Sequence, residues 1–277
     1  MPEGDTIHRS AAALRTALVG RPTRRFDAPG LYGPKPVPGR VVELVEAHGK
    51  HLEIRWDDGL VLHTHLRMNG SWHLYRIGEP WRKPNGQARV VIQVPEWLAV
   101  CFNAPVVETY RELDIQRHPR NGRLGVDLVT ASIPELEQAA RRLYEYHDRE
   151  LIVSEALLDQ HLFRGVGNVY RSEVLWVTQM SPFAKISSLE PADCKQLITT
   201  AARLLRGNLR AGESRELAVY GRNGQPCGRC GDTLHVRRVG DQSRVLYWCK
   251  ACQTVHEPVR AVLPTNDLLE MDPHPAA

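Results

Sequence analysis

An α+β fold is what the sequence predicts, with an N-terminal β-sandwich flanked by helices, a helical second region and a metal-bound β-hairpin at its end. Three observations predict it. From about Thr23 to Phe102, short alternating or β-branched segments follow one another with turn residues between them, as in a sandwich. From Pro134 to Leu209 the apolar residues recur with helical spacing instead. Lastly, Cys227, Cys230, Cys249 and Cys252 form C-x2-C-x18-C-x2-C. In a cytosolic chain that spacing reads as a tetrahedral zinc site rather than as disulfides.

The elements follow in order. Ile7, Ala11, Leu14 and Leu18 share one face of a first helix, which Asp5 or Thr6 is placed to cap. Strands are expected at Val41–Glu46, His51–Trp56, Leu60–His65, Ser71–Tyr75, Ala88–Val94 and Ala99–Phe102, with Asp57-Asp58-Gly59 as a hairpin turn. Lys50 falls on a strand-to-strand turn, and Met68, beside Arg67, on a second tip. An apolar side chain on a tip suits a wedge that enters a base stack. A polar, basic stretch from Arg111 to Arg123 reads as a loop or a linker between domains. Helices are expected from Pro134 through Leu143, and at Ser154–Gln160, Asn168–Val177 and Pro191–Leu209. The turn Gly165–Asn168 offers backbone amides at a helix N-terminus, a ready phosphate site. Val236 and Val245–Tyr247 flank Gly240–Ser243, so the cysteine pairs close the base of a hairpin and Arg244 stands near its tip. The Pro-rich tail 264–277 reads as disordered.

The totals narrow the function. A chain of 277 residues with 42% apolar and 25% charged residues has room for two cores. No apolar run reaches the roughly 20 residues of a membrane span, and no secretory leader opens the sequence, so a cytoplasmic location is expected; a monomer is expected as well. Net charge is +4 but uneven: residues 201–260 carry 11 Lys/Arg against 5 Asp/Glu. A basic surface concentrated in the cysteine module points to a phosphate backbone as partner. At the N-terminus, trimming of Met1 would leave Pro2 with a free secondary amine, able to form an iminium with a sugar carbon. Glu3 beside it could serve as acid or base. Cys101 and Cys194 fall in apolar or helical surroundings and read as buried, inert thiols.

Taken together, Pro2-Glu3-Gly4-Asp5, His48-Gly49-Lys50, Leu157–Gln160 with Gly165–Tyr170, and Val219-Tyr220-Gly221-Arg222 leading into the four cysteines resemble the formamidopyrimidine-DNA glycosylase / endonuclease VIII family. The resemblance runs to about Gln253. It implies a β-sandwich catalytic domain (1–125), a helix-two-turn-helix DNA-binding domain (126–215) and a zinc finger (216–256) with one structural Zn2+. It implies a bifunctional DNA glycosylase / AP lyase of base excision repair whose partner is damaged DNA. Pro2 would be the nucleophile on C1′, Glu3 the acid, and Lys50 a phosphate contact and proton donor. Asn168 and Arg244 would grip phosphates, Met68 would fill the gap left by the flipped base, and Arg123 would touch DNA. Arg67, Arg171, Tyr220 and Arg222 complete the expected DNA contacts. No Arg-x-Phe pair follows Pro105, and Gly207–Ala218 is short. Both departures favour the endonuclease VIII side, hence oxidised pyrimidines; strand cleavage by β,δ-elimination through a Pro2 Schiff base is what the resemblance as a whole implies. The alternative is a non-catalytic DNA-damage binder of the same fold, against which the intact Pro2, Glu3 and Lys50 argue.

Overall fold

The structure, a computed structural model, describes residues 2–117, 124–209 and 216–258. Met1, Arg123 and the tail 264–277 lie outside the described residues. Helix α1 (Gly4–Leu18) leads the chain. Strands β1 (Arg25–Asp27), β2 (Val42–His48), β3 (His51–Trp56), β4 (Leu60–His65), β5 (Ser71–Arg76), β6 (Ala88–Gln93), β7 (Trp97–Phe102) and β8 (Val106–Arg111) follow. They make two four-stranded antiparallel sheets, ordered β2-β3-β4-β8 and β1-β6-β7-β5. Alternation explains the layering. Leu52, Ile54 and Trp56 of β3 and Leu60 and Leu62 of β4 point inward, where Ile7, Ala11, Leu14 and Leu18 of α1 join the same core.

Four expectations change. Val106–Arg111, left unassigned in the sequence, is a full strand paired with β4 along its length; only Val107 and Thr109 are buried, so its polar outward residues hide it. Neither Asp5 nor Thr6 caps α1, because the helix already begins at Gly4 with Glu3 in the N-cap position. The Met68 loop is not a hairpin tip, since β4 and β5 belong to different sheets and the loop crosses between them. The helix expected at 154–160 shrinks to α3 (Val153–Ala156), after which Gln160 turns its amide onto the Leu158 and Val166 carbonyls.

The second region starts with β9 (Val126–Asp127), then α2 (Ile133–Tyr144), α3, β10 (Phe163–Arg164), α4 (Asn168–Val177) and α5 (Pro191–Gly207). Ser132 and Glu135 close a capping box at the start of α2. Leu136, Ala140 and Leu143 pack with Leu197, Ile198, Ala201 and Leu205 of α5 in a core separate from that of the sandwich. Strands β9 and β10 pair in parallel, a two-residue platform that meets the first domain. The hairpin of β11 (Leu234–Val239) and β12 (Arg244–Cys249) follows. Cys101 and Cys194 are buried; burial pushes the Cys194 thiol up to about 11 and Cys101 well beyond that, so both are inert.

Candidate active site

A cavity of about 470 Å3 opens where the sandwich, the second region and the hairpin meet. Pro2, Glu3, Lys50, Arg67, Met68, Asn168, Tyr220 and Arg244 all line it, although they come from both ends of the chain and both domains.

Glu3 fixes the geometry. Its side chain is fully buried. The amides of Gly167, Val169 and Tyr170 donate to its carboxylate at 3.0, 2.7 and 3.1 Å. A carboxylate at the N-terminus of α4 satisfies donors that the helix itself leaves orphaned, in favourable alignment with its dipole. Gly167 is required there, because a Cβ on it would sit 2.6 Å from the Glu3 carboxyl carbon. The next residue, Gly4, donates its amide to Gly165 O at 3.0 Å. These amides were expected to hold a phosphate; the protein's own carboxylate occupies them instead.

Lys50 projects from the β2–β3 turn and is half-buried. Burial draws its ammonium pKa down to about 8; the Glu3 carboxylate opposes that shift and Arg244 adds to it. The lysine is therefore mostly protonated at pH 7, yet far closer to proton transfer than a solvated lysine.

The turn itself is held by Asp127, which is 5% exposed. Gly49 N–H donates to Asp127 Oδ2 at 2.5 Å, His8 Nε2 lies 3.0 Å from the same oxygen, and Val129 N–H donates to Oδ1 at 3.0 Å. Gly49 is also wedged against Arg164 of β10, where a Cβ would come within 2.5 Å of the Arg164 Cβ. The Asp127 carboxyl pKa is lowered: burial raises it, but His8 and the amides of Gly49 and Val129 outweigh that. Two carboxylates thus bolt the domains in opposite directions. Glu3 of the first enters the second, and Asp127 of the second enters the first.

The remaining residues separate into surface and scaffold. Met68 is 63% exposed, and Arg67 beside it adopts a φ of 46°. Arg244, the first residue of β12, bonds Gln242 in the hairpin turn. Tyr220 meets Tyr247 edge-on at 4.9 Å, and its backbone is set by buried Glu173, which accepts from the amides of Ala218, Val219 and Tyr220 at 2.9, 3.0 and 2.9 Å. Asn168 donates to Val245 O at 2.5 Å, which ties α4 to the hairpin.

Arg171 does not reach a surface. It is fully buried, and its guanidinium is committed to Glu155, Asn168 and Val245 O. Arg222 bonds Ala218 O, Pro226 O and Gln225 within its own loop. Arg171 braces the hairpin, and Arg222 braces the loop that leads into it. Sequence reasoning missed Asp127 and Glu173, because a lone acid among apolar residues carries no sign of partners far away in sequence.

The four cysteine thiols lie within 4.8 Å of one another and can hold a metal ion. Two contacts, Cys227–Cys252 and Cys230–Cys249, measure 3.9 and 3.6 Å. Trp176 Nε1 donates to Cys227 Sγ at 3.3 Å, which links α4 to the cluster.

This constellation, on a sandwich joined to a helix-two-turn-helix domain, defines a DNA-glycosylase fold. Residues 1–105 match the formamidopyrimidine-DNA glycosylase N-terminal domain, and residues 131–217 match the formamidopyrimidine-DNA glycosylase H2TH domain. A probable endonuclease 8 2 from Streptomyces coelicolor is 37% identical over 93% of this chain and 96% of its own. A DNA-(apurinic or apyrimidinic site) lyase Nei2 from Mycolicibacterium smegmatis is 36% identical over 92% and 99%. In three dimensions, Lactococcus lactis formamidopyrimidine-DNA glycosylase, solved with DNA containing an AP site, superposes with a TM-score of 0.77 at 21% identity, covering 91% of this chain and 99% of that one. The chain belongs to the formamidopyrimidine-DNA glycosylase / endonuclease VIII family, on its endonuclease VIII branch.

Proposed function

We propose that the protein is a DNA glycosylase and AP lyase of base excision repair that excises oxidised pyrimidines and cleaves the strand by β,δ-elimination through a Schiff base on Pro2. The observation that carries this reading is the convergence of Pro2, Glu3 and Lys50 on one cavity with Met68 and Arg244 at its rim. With Met1 removed, the Pro2 amine attacks C1′ of an extruded nucleotide while the C1′–base bond breaks and the base leaves with a proton. Loss of the amine proton and opening of the C1′–O4′ bond then give the Pro2 iminium. Glu3, fixed by three amides, moves protons at the opening sugar, and Lys50 supplies charge to the phosphate and a proton to the reaction. Met68 fills the stack vacated by the flipped base, at a cost of a few kcal/mol that phosphate contacts offset.

Zn2+ suits the four thiolates. Tetrahedral coordination at about 2.3 Å places sulfurs about 3.8 Å apart, close to the 3.9 and 3.6 Å found here. Four protein ligands leave no open position, so the ion would be structural and would hold the hairpin in shape for Arg244.

Borohydride trapping on a duplex with one oxidised pyrimidine tests the proposal. Wild type should yield a covalent adduct, and peptide mapping should place it on Pro2. An adduct on Lys50 would remove Pro2 from the mechanism, and binding without any adduct would favour the non-catalytic damage binder.

A further inference from the structure

Past Gly70 the wedge loop enters the second sheet, and the outer face of that sheet carries a feature the reaction does not use. The segment 78–87 folds back over it. Trp81 packs edge-on against Phe102 at 5.7 Å and stacks by Tyr75 at 6.3 Å, closing a small apolar cluster with Val91 and Val100. Polar contacts lock the following residues. Arg82 N–H donates to Tyr75 Oη at 3.0 Å, and Lys83 Nζ donates to Ser71 Oγ at 2.9 Å. His73 lies between them, 3.0 Å from Ser71 Oγ and 3.2 Å from Tyr75 Oη. Burial lowers the His73 pKa, and Lys83 and Arg82 lower it further, so the imidazole stays neutral beside the two cations.

Lys83 is thus a built-in cation rather than a solvated arm. It is hydrogen-bonded to a strand and sits 6.0 Å from the Phe102 ring centre. Residues 71–93 carry four Arg/Lys and one Glu. Arg76 has a partner in Glu96, whereas neither Arg82 nor Lys83 has a carboxylate partner among the described residues. Position gives this pair a meaning. Ser71 follows Met68 by three residues, at most about 10 Å of backbone. The stem of the loop before Met68 (His65, Leu66, Arg67) lines the cavity, while none of Ser71, His73, Arg82 and Lys83 does. The pair is therefore tied to β5, the strand into which the wedge loop runs, and lies outside the cavity lining. A wedge that replaces a flipped nucleotide has the lesion strand on one side and the complementary strand on the other.

We propose that Arg82 and Lys83 bind backbone phosphates of the undamaged strand opposite the lesion, so that the wedge is braced from both strands. The inference rests on the reading of Met68 as that wedge. Its test uses the full-length, metal-loaded protein and the variant Arg82→Gln/Lys83→Gln, which removes charge but keeps polar side chains at both positions. Affinity for an abasic-analogue duplex is measured against salt, with all-phosphate DNA and with neutral methylphosphonates in the undamaged strand facing the lesion. The variant should bind all-phosphate duplex about tenfold more weakly at 0.1 M salt, with the log–log salt slope reduced by about 2. On methylphosphonate duplex, wild type and variant should bind alike, and Lys83→Arg alone should behave as wild type. Equal affinities on all-phosphate DNA would overturn the inference, as would a tenfold gap that survives the methylphosphonates. A wild type that does not prefer the abasic analogue over undamaged duplex would instead overturn the proposed function.

Discussion

The Glu3 socket and the cysteine hairpin both deliver charge to one cavity, by opposite means. Glu3 is fully buried and is held by three amides from a helix over 160 residues away in sequence. Arg244 stands on a hairpin held at its base by four thiols, and its guanidinium bonds a neighbour in the turn. The first arrangement cannot tolerate even an isosteric change, because each donor there needs an acceptor. The second separates fold from function, because removing the tip leaves the base intact. Breaking the socket should therefore cost the most, and trimming the hairpin tip the least.

Glu3→Gln tests the extreme. An amide NH2 must face at least one of the three N–H donors, and each buried donor left unpaired costs about 1–3 kcal/mol. We expect base release to fall below detection and thermal stability to fall with it, read by glycosylase assay and calorimetry. Unchanged melting would mean that the socket is not tight.

Cys249→Ser comes next. It removes one thiolate from the proposed Zn2+ set, and at such a structural site binding energy is folding energy. We expect loss of zinc by atomic absorption, loss of hairpin order and at least about tenfold weaker binding to an abasic-analogue duplex. Full DNA affinity without metal would show that the hairpin holds its shape unaided.

Asp127→Asn probes the second bolt between the domains. Either the Gly49 or the Val129 amide then faces an NH2, and the Lys50 turn loosens. We expect kcat to fall about ten- to a hundredfold, as for a misplaced catalytic group, with little change in KM. The pH profile gives the sharper reading. If Lys50 acts protonated, activity falls as pH rises through its pKa of about 8. Water admitted by the loose turn would relieve the burial that lowers this pKa, so the basic limb should move toward the ordinary lysine value of about 10.4. A limb that stays at 8 would separate Asp127 from Lys50.

What could be read in the sequence follows the same division. Strands His51–Trp56 and Leu60–His65 and helix Asn168–Val177 form at their expected bounds, because alternation, a Gly59 turn and a Gly167 start are local signals. The hairpin was legible from its cysteine spacing. What was not legible is side-chain destination. The resemblance made Asn168 and Arg171 expected DNA contacts. Asn168 does line the cavity while its amide bonds Val245 O, whereas Arg171 is fully buried and its guanidinium is turned onto Glu155, Asn168 and the hairpin backbone. Asp127 carried no sign in the sequence of its partners His8 and Gly49, which lie 119 and 78 residues away.

The smallest expected effect is at the hairpin tip, and it is the one that most directly places DNA in the cavity. Arg244→Ala keeps all four thiols and the β11–β12 pairing from Leu234↔Cys249 to Val239↔Arg244, which runs through the backbone. Zinc content and melting temperature should match wild type. The proposed phosphate contact is lost, so affinity for an abasic-analogue duplex should fall, and the slope of log affinity against log salt should shrink by about one unit. Because Arg244 also lowers the Lys50 pKa, its removal should raise the basic limb of the pH profile slightly, in the same direction as Asp127→Asn but with the turn intact. The two variants then separate two causes of one shift: charge repulsion, which added salt screens, and burial, which it does not. If Arg244→Ala binds like wild type at every salt concentration, the hairpin tip does not touch the backbone, and the DNA path must follow Arg67 and Lys50 instead.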